Sequence, residues 1–230
     1  MRRARAVDNV LGKMTETQEL LMLVPAAYVG GSVPFGLLVG LARGIDVRKA
    51  GSGNIGATNV GRLLGGKYFA IVFGLDMLKG LLPMLSSGWV LGWQAADWRG
   101  YVLWLLVGFA AIAGHMFSLF LKFKGGKGVA SSAGVALGLF PYYTVAALIA
   151  VGTWLVVFAA TRIVSLSSMV AAVTFPTAYV INGLMRGWKI VGEQTPLLIF
   201  ASAVAVMIVY KHRANIARLR AGTEGKFVKR

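Results

Sequence analysis

The chain has 230 residues, 57% of them hydrophobic and only 14% charged, with a formal net charge of +16. Its mean hydropathy is +0.70. A water-soluble domain of this length cannot hide so much apolar surface in one core. The basic residues gather in short runs beside apolar stretches, a distribution that argues for membrane topology and anionic lipid rather than nucleic acid as the reason for the charge.

Residues 1–19 read as an N-terminal tail, and 20–230 as a single integral-membrane domain. The start, Arg2-Arg3-Ala4-Arg5, is similar to the n-region of a signal peptide. The apolar run begins too late for that, however, and is long enough to span, so it reads as a retained helix.

Helix one is expected near 20–42, where no charge occurs. A helix needs roughly 20 apolar residues to cross about 30 Å of hydrocarbon. Basic residues follow between Arg43 and Lys67, then helix two near 68–92 and a weakly charged loop, Gln94 to Arg99. Helix three, near 101–121, returns to the basic run Lys122 to Lys127. The uncharged stretch Gly128 to Thr161 has 34 residues, a single helix of about 51 Å and too long for one crossing. Pro141 divides it in two. Further helices near 163–184 and 195–210 lead to the basic run Lys211 to Arg230. Short basic loops face the cytoplasm by the positive-inside rule. The expected architecture is therefore all-α and polytopic, with seven transmembrane helices, the N-terminus outside and the C-terminus cytoplasmic.

Three polar islands interrupt this pattern: residues 51–62 (GSGNIGATNVGR), 122–128 (KFKGGKG) and 211–218 (KHRANIAR). Each combines glycines, hydroxyl or amide donors and fixed positive charge, the groups that bind a phosphate. Glycine alone would fit close helix packing, but Asn54, Asn59 and Arg62 do nothing for apolar packing. Lys127 lies between glycines at a helix start, a cradle for an anion, whereas Lys122 and Lys124 read as snorkelling topology anchors. The run lacks the spacing and the Ser/Thr of a nucleotide-binding P-loop. His212, Asn215 and Arg218 repeat at threes, along one helix face. His115 reads as a structural hydrogen-bonding residue. Asp76 and Lys79, inside helix two at i, i+3, are expected to pair, because an unpaired ion in hydrocarbon costs at least about 2.5 kcal/mol.

Absences narrow the chemistry. The chain has no cysteine and two histidines, so neither a thiolate nor a His-rich metal site can be built. Phe120 and Ala217 stand five positions after the histidines, so the His-x4-Asp arrangement of thioester-dependent glycerolipid acyltransferases is missing. No Gly-x-Ser-x-Gly elbow occurs either.

Taken together, the islands resemble the bacterial acyl-phosphate:glycerol-3-phosphate acyltransferase family, integral-membrane enzymes that begin phosphatidic acid synthesis. Residues 51–62 match its first motif, 114–130 (GHMFSLFLKFKGGKGVA) its second, and His212 to Leu219 with Gly222-Thr-Glu224 its third. Residues 76–80 and 162–168 are also similar to family segments, and the likeness runs from about Gly30 to Lys226. Ser118 stands where proline is usual, and Ser131 where threonine is usual.

The resemblance implies transfer of an acyl group from acyl phosphate to the 1-hydroxyl of glycerol 3-phosphate, giving lysophosphatidate and inorganic phosphate. It implies no cofactor, seven spans in the bacterial inner membrane and a site facing the cytoplasm. Expected partners are the two substrates, membrane lipids and the soluble enzyme that makes acyl phosphate. Ser52, Lys127, His212 and Asn215 would be catalytic. Asn54, Gly56, Thr58, Asn59, Arg62, Gly125, Gly126, Gly128, Ser165 and Arg213 would bind substrate. Lys127 and its neighbouring glycine amides would hold the donor phosphate.

Overall fold

The computed structural model describes residues 14–94 and 97–227. Residues 1–13, within the expected tail, 95–96, within the expected outer loop, and the last three residues of the basic C-terminal run lie outside the described part. The described residues form only helices and their connections. In chain order these are α1 (Glu16–Ser32), α2 (Phe35–Leu41), α3 (Ala57–Leu64), α4 (Gly66–Val90), α5 (Trp98–Met116), a 3-10 turn (Leu119–Leu121), α6 (Val129–Gly138), α7 (Thr144–Thr161), α8 (Val164–Met185), α9 (Thr195–Lys211) and α10 (Arg213–Arg220).

Five segments are long and apolar enough to cross a membrane: Glu16–Leu41, which joins α1 and α2, Gly66–Val90, Trp98–Leu121, Thr144–Thr161 and Val164–Met185. A sixth arises if α9 and α10, bent by 55° at His212, count as one span. The division of 128–161 falls at 139–143, as the position of Pro141 predicts. Its first half, α6, has only 10 residues, about 15 Å, half of a hydrocarbon thickness. Large apolar side chains stay exposed on the helix exteriors, among them Val156 (70%), Val206 (69%) and Ile199 (63%). In water such a surface would aggregate; in lipid it is the ordinary exterior.

Tertiary contacts at helix breaks fix the frame. Pro34 lacks an N–H and disfavours helical geometry at the residue before it, so the first span breaks at Val33. The carbonyls released there find partners from other helices. Ser118 Oγ donates to Ser32 O, and Lys79 Nζ donates to Val33 O at 2.8 Å. Serine at 118 thus satisfies a carbonyl that the Pro34 break leaves free. Lys79 also meets Asp76 Oδ1 at 2.8 Å, the pairing expected from the sequence. The α4–α6 crossing is close enough that a Cβ on Gly80 would lie 2.2 Å from Ser131 O, and one on Gly134 2.0 Å from Met77 O. Ser131 Oγ closes this crossing by donating to Asp76 O at 2.9 Å.

Candidate active site

Asn59 shapes the first island from below. Its buried side chain donates from Nδ2 to Val47 O and Ala50 O, at 3.0 and 3.1 Å, and accepts from Ser52 N at 2.9 Å. Asn54 Oδ1 accepts from Gly56 N at 2.8 Å, a local turn that delivers the chain into α3. Gly56, Ala57 and Thr58, the start of α3, therefore sit at the wall of a cavity of about 330 Å³. Helix starts present free N–H groups and the positive end of the helix dipole.

The second island approaches from the opposite wall. Gly125 N donates to Met116 O at 3.1 Å and Gly126 N to His115 O at 3.0 Å, folding the strap against the end of α5. A Cβ on Gly125 would lie 2.0 Å from His115 O, and one on Gly126 2.2 Å from His115 Nε2. These two amides are spent inside the protein, so the expected glycine cradle for phosphate is corrected: Gly125 and Gly126 place Lys127 rather than line the cavity. Gly128, with φ +84, turns the chain into α6 and does line it. Lys122 and Lys124 are exposed and stand apart from the cavity.

The third island closes the ring. His212 sits at the bend between α9 and α10, and its Nδ1 donates to Ile208 O across 2.7 Å. That bond leaves Nε2 as the ring nitrogen available to a ligand. Lys127 Nζ donates to Asn215 Oδ1, while Asn215 Nδ2 donates to Glu224 Oε1 at 2.7 Å. Glu224 is the hub of the cluster. It also accepts from Ser165 Oγ at 2.9 Å and from Arg218 Nε at 2.7 Å, and Arg62 lies 3.5 Å away. Arg62 itself donates to Gly225 O at 2.7 Å, leaving its buried Nε without a protein partner. Phe227 N donates to Arg162 O at 2.7 Å, so residues 224–227 fold back over the site.

The electrostatics favour anions. Arg62, Lys127, Lys211, Arg213 and Arg218 line the cavity against two carboxylates, Glu224 and the Lys79-paired Asp76. Burial lowers Lys127 to about 8, only partly offset by Glu224, and nearby Arg218 and Arg62 add to the depression. Burial acts to raise Glu224, but hydrogen bonds from Asn215, Arg218 and Ser165 outweigh it and hold the carboxyl below its ordinary value.

Apart from Gly125 and Gly126, every residue expected to be catalytic or to bind substrate reaches this cavity: Ser52, Asn54, Gly56, Thr58, Asn59, Arg62, Lys127, Gly128, Ser165, His212, Arg213 and Asn215. Glu224 was missed as a site residue, although a lone acid inside a basic terminal run was a readable signal. Asp76 and His115 also reach the wall, with His115 Nδ1 3.6 Å from Asp76 Oδ1. Nothing in their spacing, 39 positions apart in the chain, foretold that meeting.

Fold and site together define a helical membrane protein with a basic cavity at the ends of its spans. Residues 21–222 match the glycerol-3-phosphate acyltransferase family. The chain is 42% identical to the glycerol-3-phosphate acyltransferase of Geobacter sulfurreducens over 211 residues, covering 90% of this chain and 97% of that one. It is 39% identical to the Aquifex aeolicus relative over 214 residues, covering 90% and 98%. The fold is similar to PlsY, an integral membrane glycerol 3-phosphate acyltransferase, in two crystal forms. The glycerol 3-phosphate form gives a TM-score of 0.77 at 38% identity, covering 91% of this chain and 96% of that one. The lysophosphatidic acid form gives 0.74 at 37%, covering 90% and 95%. The chain belongs to the glycerol-3-phosphate acyltransferase family and is an integral membrane acyltransferase.

Proposed function

We propose that the chain transfers a fatty acyl group from acyl phosphate to the 1-hydroxyl of glycerol 3-phosphate, releasing 1-acylglycerol 3-phosphate and inorganic phosphate. The observation that carries this reading is the convergence of Lys127, Arg62, His212, Asn215 and Ser52 on one cavity that opens directly into an apolar one. Two phosphorylated molecules, one with a long tail, need that pairing of environments. The PlsY crystal forms with glycerol 3-phosphate and lysophosphatidic acid support the acceptor and product.

In this reading the acceptor oxygen attacks the acyl carbonyl and the carbon–oxygen bond to phosphate breaks. The departing phosphate takes the hydroxyl proton, so no covalent enzyme intermediate forms. An acyl phosphate is an anhydride with a good leaving group, and the protein's part is alignment and charge stabilisation. Lys127 holds the donor phosphate. Arg62, His212, Asn215, Ser165 and Arg213 clamp glycerol 3-phosphate, while Ser52 and Asn54 orient the reacting groups. Gly56, Thr58 and Gly128 give close backbone approach, and Asn59 holds the first loop. No cofactor enters.

The remaining expectations belong to the same proposal. Residues 20–230 form one domain with seven crossings of a bacterial inner membrane, α6 being the short one. The N-terminus is outside, and the C-terminus and site are cytoplasmic, where a soluble enzyme supplies the acyl phosphate.

Purified protein in detergent, given palmitoyl phosphate and glycerol 3-phosphate, should release phosphate only when the acceptor is present. Uptake of organic phosphate into proteoliposomes without release would make it a transporter instead. If His212→Gln abolishes turnover at saturating acceptor and imidazole restores it, His212 is a general base and the substrate-assisted scheme fails.

A further inference from the structure

A second cavity, of about 430 Å³ and almost wholly apolar, adjoins the polar one. The two share Phe69, Phe73, Val129, Trp154 and Ser168, which form a neck. Trp154 Nε1 donates to Ser168 Oγ at 3.2 Å, tying α7 to α8 at that level. Below the neck the walls come from α4, α5, α6, α7, α8 and α9.

Aromatic rings line the cavity at the end away from Trp154. Tyr143 is fully buried, and its hydroxyl donates to Leu197 O. Phe175 meets it edge-on at 4.9 Å, and Tyr179 stands behind at 5.2 Å. From Trp154 to Tyr143 is 11 residues of helix, about 16 Å. An extended chain advances roughly 1.2 Å per bond, so this depth takes about 13 carbons below the neck. Just above the floor, two small buried residues, Ala136 and Ala147, keep the space open. Ala147 is four residues after Tyr143, one helical turn higher on the same face.

We propose that Tyr143 and Phe175 set the acyl-chain length this protein accepts, with Ala147 as the residue that keeps the last turn of the cavity open. The proposal rests on the acyl-transfer reading above and adds a determinant of donor specificity to it. Lipid tails are as apolar as the cavity wall, so an extra methylene gains nothing by leaving the bilayer. Selection by length must then come from steric fit at the floor. A chain that follows α7 past the neck meets the Tyr143 ring and can extend further only by turning out past the exposed Leu148 and Val151, which draws its carbonyl from the reacting position.

The test gives the purified protein in detergent an equimolar mixture of acyl phosphates, from decanoyl to eicosanoyl, with saturating glycerol 3-phosphate. Lysophosphatidates are then quantified by mass spectrometry, so that product ratios report relative kcat/KM. The expected parent profile falls at least tenfold between the palmitoyl and eicosanoyl donors. Ala147→Phe raises the floor by one turn, about 5.4 Å or four carbons, and should move that fall down to shorter chains while decanoyl transfer stays within about twofold. Phe175→Ala removes a floor ring, leaves the Tyr143 hydrogen bond in place and should admit the eicosanoyl donor.

Profiles that superimpose for parent and both variants overturn the proposal, as does a parent that uses all lengths equally. Should Ala147→Phe lower every length together, Phe175→Ala alone decides, because it removes volume and cannot block the site. A parent that transfers no acyl phosphate of any length instead refutes the donor reading, a distinguishable result.

Discussion

Lys127 and Asn215 are 88 positions apart in the chain, yet the lysine ammonium donates to the asparagine side-chain oxygen. The same asparagine then donates to Glu224, so the second and third polar islands are joined by one relay. The amide is thereby fixed in orientation, its oxygen to the cation and its nitrogen to the acid.

Replacing Lys127 by alanine should lower kcat by about 100-fold or more, the usual effect of removing a preorganised charged donor. The thermal transition should move little, since the side chain is only half-buried. Acceptor-dependent phosphate release checks the first expectation and thermal unfolding in detergent the second.

The pH profile follows from the same side chain. Lys127 binds an anion only when protonated, and burial lowers its pKa to about 8. Since kcat/KM reports the free enzyme, it should fall as pH rises through about 8. Bound phosphate favours the ammonium form, so kcat should fall at a higher pH. Coincident profiles for the two parameters would contradict this role.

Glu224→Ala should be the most damaging substitution at the site. It removes the acceptor for Ser165, Asn215 and Arg218 and leaves Arg62 and Arg218 without their counter-charge. The carboxylate is buried but both arginines are partly exposed, so breaking the cluster from one side costs less than the roughly 3 kcal/mol of a fully buried pair. Chemical or thermal unfolding should show that loss, and Glu224→Gln, which keeps acceptor oxygen at one position, should lose less.

Asn59→Ala should impair catalysis without touching substrate. Its three hydrogen bonds hold the loop at Val47, Ala50 and Ser52. We expect KM for glycerol 3-phosphate to rise at least tenfold, and Asn59→Asp to fare no better, because it loses both donors.

Gly126→Ala should displace Lys127, since the new methyl would lie 2.2 Å from His115 Nε2. A drop of tenfold or more in kcat/KM is expected. Adding His115→Ala relieves the clash, so the double variant should lose less than the sum of the two single losses.

Much of this arrangement was legible in the chain. Uncharged runs located the long helices, because hydrocarbon thickness dictates their length and admits few ions. Pro141 located the break in 128–161 for the same local reason, a missing N–H and a blocked helix. The Asp76–Lys79 pair was readable because helical spacing alone brings the two together. What stayed hidden depends on contacts between distant segments. Gly125 and Gly126 carry glycine to admit His115, an approach that no local pattern reveals. Glu224 looked like one acid among cations until Ser165 and Asn215 were brought to it from other helices. The division of α1 from α2 followed Pro34, but its acceptance depended on Ser118 and Lys79 reaching the freed carbonyls.

The fold-back of residues 224–227 also sets an order of assembly. Chains are made and inserted from the N-terminus, so Arg62, Lys127 and Arg218 all emerge before Glu224 exists. Without the docking of Phe227 on Arg162, those cations would lack the carboxylate that offsets their mutual repulsion. The Glu224 carboxylate, supplied after every one of these cations in the chain, is thus what draws Arg62, Arg218 and the Lys127–Asn215 pair into one cluster.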